Sequence, residues 1–189
     1  MIQKTAMTIS PVGVVHLKRS RRARRLSLSL TPSGEVNLTL PRGIPLDAAT
    51  DFVVRKARWI QEHRTKNTAL KKRHEALLAA RPPVTRDKAR DVLTRRLDHL
   101  ARAHGFSYAR VTVRCQKTRW GSCSARDTIS LNEKLIYLPQ HLVDYVLIHE
   151  LVHTRIKGHG EDFWRELGWY VTDVDTCRRE MRQYRLAFL

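Results

Sequence analysis

His149, Glu150, Leu151, Val152 and His153 make a His-Glu-x-x-His run, and His159 follows six residues after its second histidine. Positions i and i+4 of a helix share a face, so His149 and His153 can aim two imidazoles at one ion with Glu150 beside it. Shuffling a chain of this composition gives the run in roughly 2% of trials, and requiring His159 as well lowers that to about 0.1%. Three protein nitrogens with a fourth position left for water is the arrangement of a catalytic zinc site; a closed structural site takes four ligands, usually with cysteines. Zn²⁺ at His149, His153 and His159, one ion per chain, would lower the pKa of its water to about 7. Glu150 is then the natural general base as that water attacks a polarised carbonyl or phosphoryl group. Nitrogen ligands also suit other first-row divalent ions.

These groups need an element to hold them, and residues 140–157 read as one helix. Pro139 precedes its start and Asp144 sits in an early turn, where it suits the positive dipole end. Leu142, Tyr145, Val146, Ile148 and Val152 give it a wide apolar surface, which predicts burial. Lys157 and Gly158 read as its last turn and a left-handed C-terminal stop, after which the chain can bring His159 back toward the two helical imidazoles.

A second unusual stretch is Thr118, Arg119, Trp120, Gly121, Ser122, Cys123 and Ser124, where glycine and serine break any periodicity. It reads as a loop or bulge leading into a strand near 127–132 that contains Ile129, Leu131 and Asn132. That strand could pair with an extended peptide, and Arg119 could meet an anionic group or an oxyanion. Arg119, Trp120, Ser122 and Asn132 are therefore the candidate substrate-binding residues. A structural tryptophan and a surface arginine fit the same residues. For oxyanion stabilisation, Arg119, Tyr145 and Tyr170 all stay open.

Composition limits the class of protein. At 189 residues and 42% hydrophobic content the chain can bury a core. No stretch approaches 18 uninterrupted apolar residues, and the N-terminal residues lack the apolar segment of a signal peptide, which predicts a soluble cytoplasmic protein with no membrane contact. Cys115, Cys123 and Cys177 are odd in number and lack Cys-x-x-Cys spacing, against a disulfide framework or a zinc knuckle. The net charge is +18 and it is unevenly spread: residues 1–90 carry 20 Lys or Arg against 6 Asp or Glu. Lys18, Arg19, Arg21, Arg22, Arg24 and Arg25 are its densest part. Such a run fits a polyanion partner or a solvated basic strand equally well. No aromatic residues interleave with it as base stacking would require, so any nucleic-acid contact is expected to be weak and non-specific.

Along the chain, Leu26, Leu28 and Leu30 alternate with serines, a Pro32, Ser33, Gly34 turn intervenes, and Val36, Leu38 and Leu40 resume the alternation, which predicts a β-hairpin with one buried face. Val12 to Leu17 could add a third strand. Residues 46–64 read as a helix with Ala49, Phe52, Val53, Ala57 and Ile60 as its stripe, and 65–81 continue it in very basic composition. Pro82 and Pro83 break the chain before a further helix at about 86–104. A strand near 108–115, the strand near 127–132, the histidine helix and helices from about 161 and 173 complete the order. Strands followed by helices without βαβ alternation predict an α+β fold. The expected division is a basic β-rich region with a helix over 1–81 and a metal-site domain over 84–189.

Arg119, Trp120, Gly121, Ser122 and Cys123, with Ile129, Leu131, Asn132, Pro139, Tyr145, His149, Glu150, His153, His159, Phe163 and Trp164, resemble the YgjP-like metal-dependent hydrolases. That family is grouped with zinc metallopeptidases and is distantly similar to the SprT and WLM zincins. The resemblance spans most of the chain, about 20–187, so the two regions could be one continuous family domain. It implies a zincin-like C-terminal domain with the metal site on a buried helix, His149, His153 and His159 as zinc ligands, and Glu150 as the catalytic acid/base. The nominal reaction it implies is that of a metallopeptidase. It also leaves a nucleotide substrate open, as a nucleoside triphosphate (UTP-type) pyrophosphohydrolase, and the SprT similarity adds a DNA-associated zincin or nucleic-acid-binding module as a third reading. Oligomeric state is not legible in the sequence.

Overall fold

The computed structural model describes residues 4–80 and 83–189, so residues 1–3 and the first proline of the expected Pro82, Pro83 break lie outside it. The chain forms two compact units, 1–72 and 73–189, and the division falls inside a helix, ten residues before that break. No helix of the described residues is long and apolar enough to cross a membrane.

The first unit is built on a four-stranded sheet of β1 (Lys4–Ile9), β2 (Gly13–Ser20), β3 (Ser27–Leu30) and β4 (Val36–Pro41), in the order β1-β2-β4-β3. The expected hairpin is the antiparallel β3/β4 pair, with Leu28 opposite Leu38. The expected third strand is β2, which runs parallel to β4 with Leu17 opposite Leu38. Alternation puts Val15, Leu17, Val36, Leu38 and Leu40 on one buried face. Ala49, Val53 and Ile60 belong to the same core. The helix read over 46–64 is two: α1 (Leu46–Arg55) ends at Lys56, whose φ of −96° and ψ of 5° are not helical, and α2 (Ala57–Ala79) starts anew.

The second unit holds α3 (Arg86–Ala103), three strands, a 3₁₀ turn (Glu133–Tyr137), α4 (Gln140–Val152), α5 (Glu161–Tyr170) and α6 (Val174–Met181). The fold class is α+β, as the order of elements predicts. The strands are β5 (Arg110–Arg114), β6 (Gly121–Cys123) and β7 (Thr128–Asn132), ordered β5-β7-β6. This corrects two expectations. Residues 121–123, read as irregular, are a strand, with Gly121 opposite Leu131 and Cys123 opposite Ile129. The strand expected to accept a peptide, β7, is bonded on both sides, so the free edge near the histidines belongs to β6.

The histidine helix α4 is buried almost all round, through Leu142, Val143, Tyr145, Val146, Leu147, Ile148, Leu151 and Val152. It packs against α3, α5, α6 and β6. Asp144, read as a dipole partner, instead takes a two-pronged ion pair from Arg96 of α3, Nε to Oδ1 and Nη2 to Oδ2, both at 2.7 Å.

Candidate metal centre

Helix α4 ends five residues earlier than its composition suggests, with His153 as its C-cap. Side chains compete for the last carbonyls: the Thr154 hydroxyl donates to Leu151 O at 2.8 Å, and His153 Nδ1 donates to Ile156 O at 2.9 Å. Gly158 is not left-handed; the only glycines with positive φ among the described residues are Gly13, Gly34 and Gly105. The return to His159 is instead fixed from α5, where Trp164 Nε1 donates to His159 O at 3.0 Å.

The result brings the three imidazoles together. His159 Nε2 lies 3.1 Å from His149 Nε2 and 3.1 Å from His153 Nε2. A nitrogen carries at most one hydrogen here, so hydrogen bonding among the three leaves lone pairs facing each other. A single cation resolves that conflict, because tetrahedral ligation at a zinc–nitrogen distance near 2.05 Å sets nitrogens about 3.3 Å apart. The residues therefore fit a divalent metal, and they are the group of possible metal-holding side chains found among the described residues. The Ile156 carbonyl can only accept, which puts the proton on His153 Nδ1 and leaves its Nε2 free to face the ion. The fully buried Phe163 ring floors the site, with its centroid 4.8, 4.5 and 4.7 Å from those of His149, His153 and His159.

Burial, then the nearby His153 and His159, pushes His149 down to about 3. Burial also lowers His153, partly offset by the Ile156 carbonyl. Both rings are thus held neutral, the form that can ligate. Glu150 is buried, its Oε2 has no partner, and burial pushes it up to about 8 against the pull of Arg119. Its carboxylate fits beside β6 because residue 121 is glycine: a Cβ there would stand 2.6 Å from Glu150 Oε1.

A cavity of about 320 Å³ lies over these groups, lined by Arg119, Gly121, Ser122, Cys123, Lys157 and the histidines with Glu150. Arg119 and Ser122 are thus at the site. Trp120 is not on its wall; it packs against the hydrophobic core. Asn132 has no exposure to a substrate: it is fully buried, donates to Gln116 O at 2.8 Å and Arg119 O at 2.9 Å, and accepts from Lys134 N. Its short amide is consumed in holding the segment before β6. Tyr170 is also removed from the oxyanion candidates, since its hydroxyl is bonded to Arg155 and Glu166. Lys157, read only as a helix end, pairs with Asp127 and donates to Ser124 O at 3.2 Å, tying the β6/β7 turn to the return loop. Cys123 is a half-buried free thiol, raised by burial.

A buried helix carrying two histidines and a glutamate, with a third histidine folded back onto them, is an arrangement that suits a metal-dependent hydrolase. The chain belongs to the YgjP-like metallopeptidase family: the model of the YgjP-like metallopeptidase domain matches residues 70–184. No curated protein matches it. Among solved structures, the metallopeptidase zymogen jannalysin of Methanocaldococcus jannaschii aligns at 22% identity over 48% of this chain and 94% of that one, with a TM-score of 0.43. The metallopeptidase zymogen abylysin of Pyrococcus abyssi aligns at 24% identity over 49% of this chain and 97% of that one, with a TM-score of 0.41.

Proposed function

We propose that the protein is a zinc peptidase in which His149, His153 and His159 hold the ion and Glu150 moves the proton. The observation that carries this reading is the convergence of three Nε2 atoms, with two spacings of 3.1 Å, beside a buried carboxylate oxygen without a partner. Three imidazole nitrogens and an open cavity favour zinc in a catalytic coordination. The metal supplies Lewis acidity, polarising the scissile carbonyl and acidifying water. Glu150 Oε2 takes the proton of the attacking water and passes it to the leaving amine. A cation nearby lowers the pKa of Glu150 from its metal-free position, keeping it in the basic form.

The open edge of β6 gives an extended peptide a strand to pair with beside the site, at Gly121, Ser122 and Cys123. Arg119, exposed on the cavity wall, suits an anionic group or the developing oxyanion. A triphosphate substrate would need a cationic cradle, and Lys157 is already committed to Asp127 and Ser124. Peptide is therefore the preferred substrate and nucleoside triphosphate the alternative.

The test is Glu150→Gln in zinc-loaded protein, assayed against a peptide library and against nucleoside triphosphates. Metal content should stay at wild type while peptide cleavage falls about 10²- to 10⁴-fold. A metal-bound variant of undiminished activity would refute the role of Glu150, and pyrophosphate release without peptide cleavage would reverse the substrate.

A further inference from the structure

We infer that the first unit is a nucleic-acid-binding surface that grips the phosphodiester backbone of a duplex without reading its sequence. Helices α1 and α2 supply the core for only one face of its sheet, through Ala49, Val53 and Ile60 against Val15, Val36 and Leu38. Alternation sends Thr8, Val14, His16, Lys18, Ser27, Ser29, Asn37 and Thr39 to the opposite face. That face is open: Val14 is 52% exposed, and Thr8, Lys18, Ser27 and Ser29 are exposed as well.

Its chemistry is one-sided. The connection from β2 to β3 carries Arg21, Arg22, Arg24 and Arg25, all exposed, and Lys18 precedes them on the open face. Residues 1–72 hold 15 Lys or Arg against 4 Asp or Glu. Those four acids, Glu35, Asp47, Asp51 and Glu62, lie in the β3/β4 turn or on α1 and α2, so neither the open face nor the arginine connection contains one. A cavity of about 720 Å³ meets the far part of this face, lined by Val14, His16, Gly34, Glu35, Arg64 and Thr68 among others, with Glu35 as its single acid. Hydroxyls and amides beside a block of guanidinium groups are donors for phosphate oxygens.

The same residues select among polyanions. Single-strand binding relies on aromatic side chains as stacking platforms, and no Phe, Tyr or Trp stands on this face. An anionic membrane surface calls for apolar side chains that insert, and among the described residues Val14 is the only large one there. Backbone neutralisation of a duplex needs charge and hydrogen-bond donors alone, which is what the face provides.

The experiment is fluorescence anisotropy of the full chain with a labelled 25-bp DNA duplex over a salt series. Five neutralised phosphates predict a slope of log K against log salt of about −4 to −5, or a several-hundredfold loss between 50 and 200 mM salt. Replacing Arg21, Arg22, Arg24 and Arg25 by Ser should weaken binding at 50 mM at least tenfold and bring the slope near −1. Replacing the same four by Lys should keep both within a factor of about three, since charge rather than fork geometry is used. Removing an equal charge from exposed positions of the second unit, Arg102, Arg110, Arg114 and Arg126 to Ser, should change little. Absence of salt-dependent binding, an equal loss in both quadruple Ser variants, or tighter capture by phosphatidylserine vesicles than by the duplex would each overturn the proposal. None of these outcomes bears on peptide cleavage, so it stands or falls apart from the reading of the metal centre.

Discussion

At Gly121 an added Cβ would meet Glu150 Oε1 at 2.6 Å, Cγ at 2.7 Å and Cδ at 2.9 Å. Real side chains do not approach so closely, and Glu150, only 5% exposed on a helix packed on several sides, has little room to retreat. Gly121→Ala must therefore shift the carboxylate or push β6 away from α4. The three atoms nearest to that Cβ all belong to Glu150 and none to a histidine, so metal content should stay at the wild-type level while peptide cleavage falls about 10²-fold, the scale of a catalytic group misplaced by 1 Å. Metal analysis alongside kcat/KM checks this, and an alanine variant with wild-type turnover would show that Glu150 does not need its place against β6. His149 and His153 are legible in the sequence because helical spacing alone brings them to one face with Glu150 beside it, whereas His159 is placed by the return loop. The reason for Gly121 is not legible, because its φ is ordinary and the constraint comes from a residue 29 positions away.

Elements show the same boundary between local and tertiary information. The β3/β4 hairpin and α3 follow from alternation and from breaker residues, and Thr85 caps α3 by accepting from Lys88 N. The end of α4 escapes because it is decided by Thr154 and His153 bonding to nearby carbonyls, a competition that composition does not rank. Strand β6 escapes because three residues are too few for a period to register. What fixes β6 in place is Asn132, whose amide binds the carbonyls of Gln116 and Arg119 and whose N–H donates to Trp120 O at 2.8 Å. Asn132→Ala takes the donor from the carbonyls of Gln116 and Arg119 and removes the cap of the 3₁₀ turn, at a cost of about 2–4 kcal/mol. Thermal unfolding should show a fall of roughly 10 °C, with Asn132→Asp no better because a carboxylate cannot donate to those carbonyls. An unchanged melting temperature in Asn132→Ala would mean the segment before β6 is held by something else.

For the molecule as a whole, the metal centre sets how stability depends on pH when the metal is stripped away. His149 binds a proton near pH 6.5 when unfolded but only near 3 when folded, so its contribution is present above 6.5 and is lost as pH falls toward 3. Glu150 has the opposite sign: its folded pKa of about 8 exceeds its ordinary 4.5, so its contribution is present below 4.5 and is lost as pH rises toward 8. Between 4.5 and 6.5 the slopes of these two groups oppose each other, and His153, also lowered by burial, adds to the His149 side. Glu150→Gln abolishes the decline on the alkaline side alone. In chelator, the metal-free variant should therefore gain on the wild type steadily from pH 4.5 to 8, reaching a few kcal/mol, and should show a constant difference below pH 4. Zinc should reverse the comparison near neutrality, because an ion held by the three histidines would stabilise the carboxylate that burial penalises. Urea unfolding of the wild type and Glu150→Gln across this range, with and without zinc, measures each step. A metal-free difference that does not change with pH would mean that Glu150 titrates alike in the folded and unfolded chain, and would remove the buried carboxylate as the group that the metal must relieve.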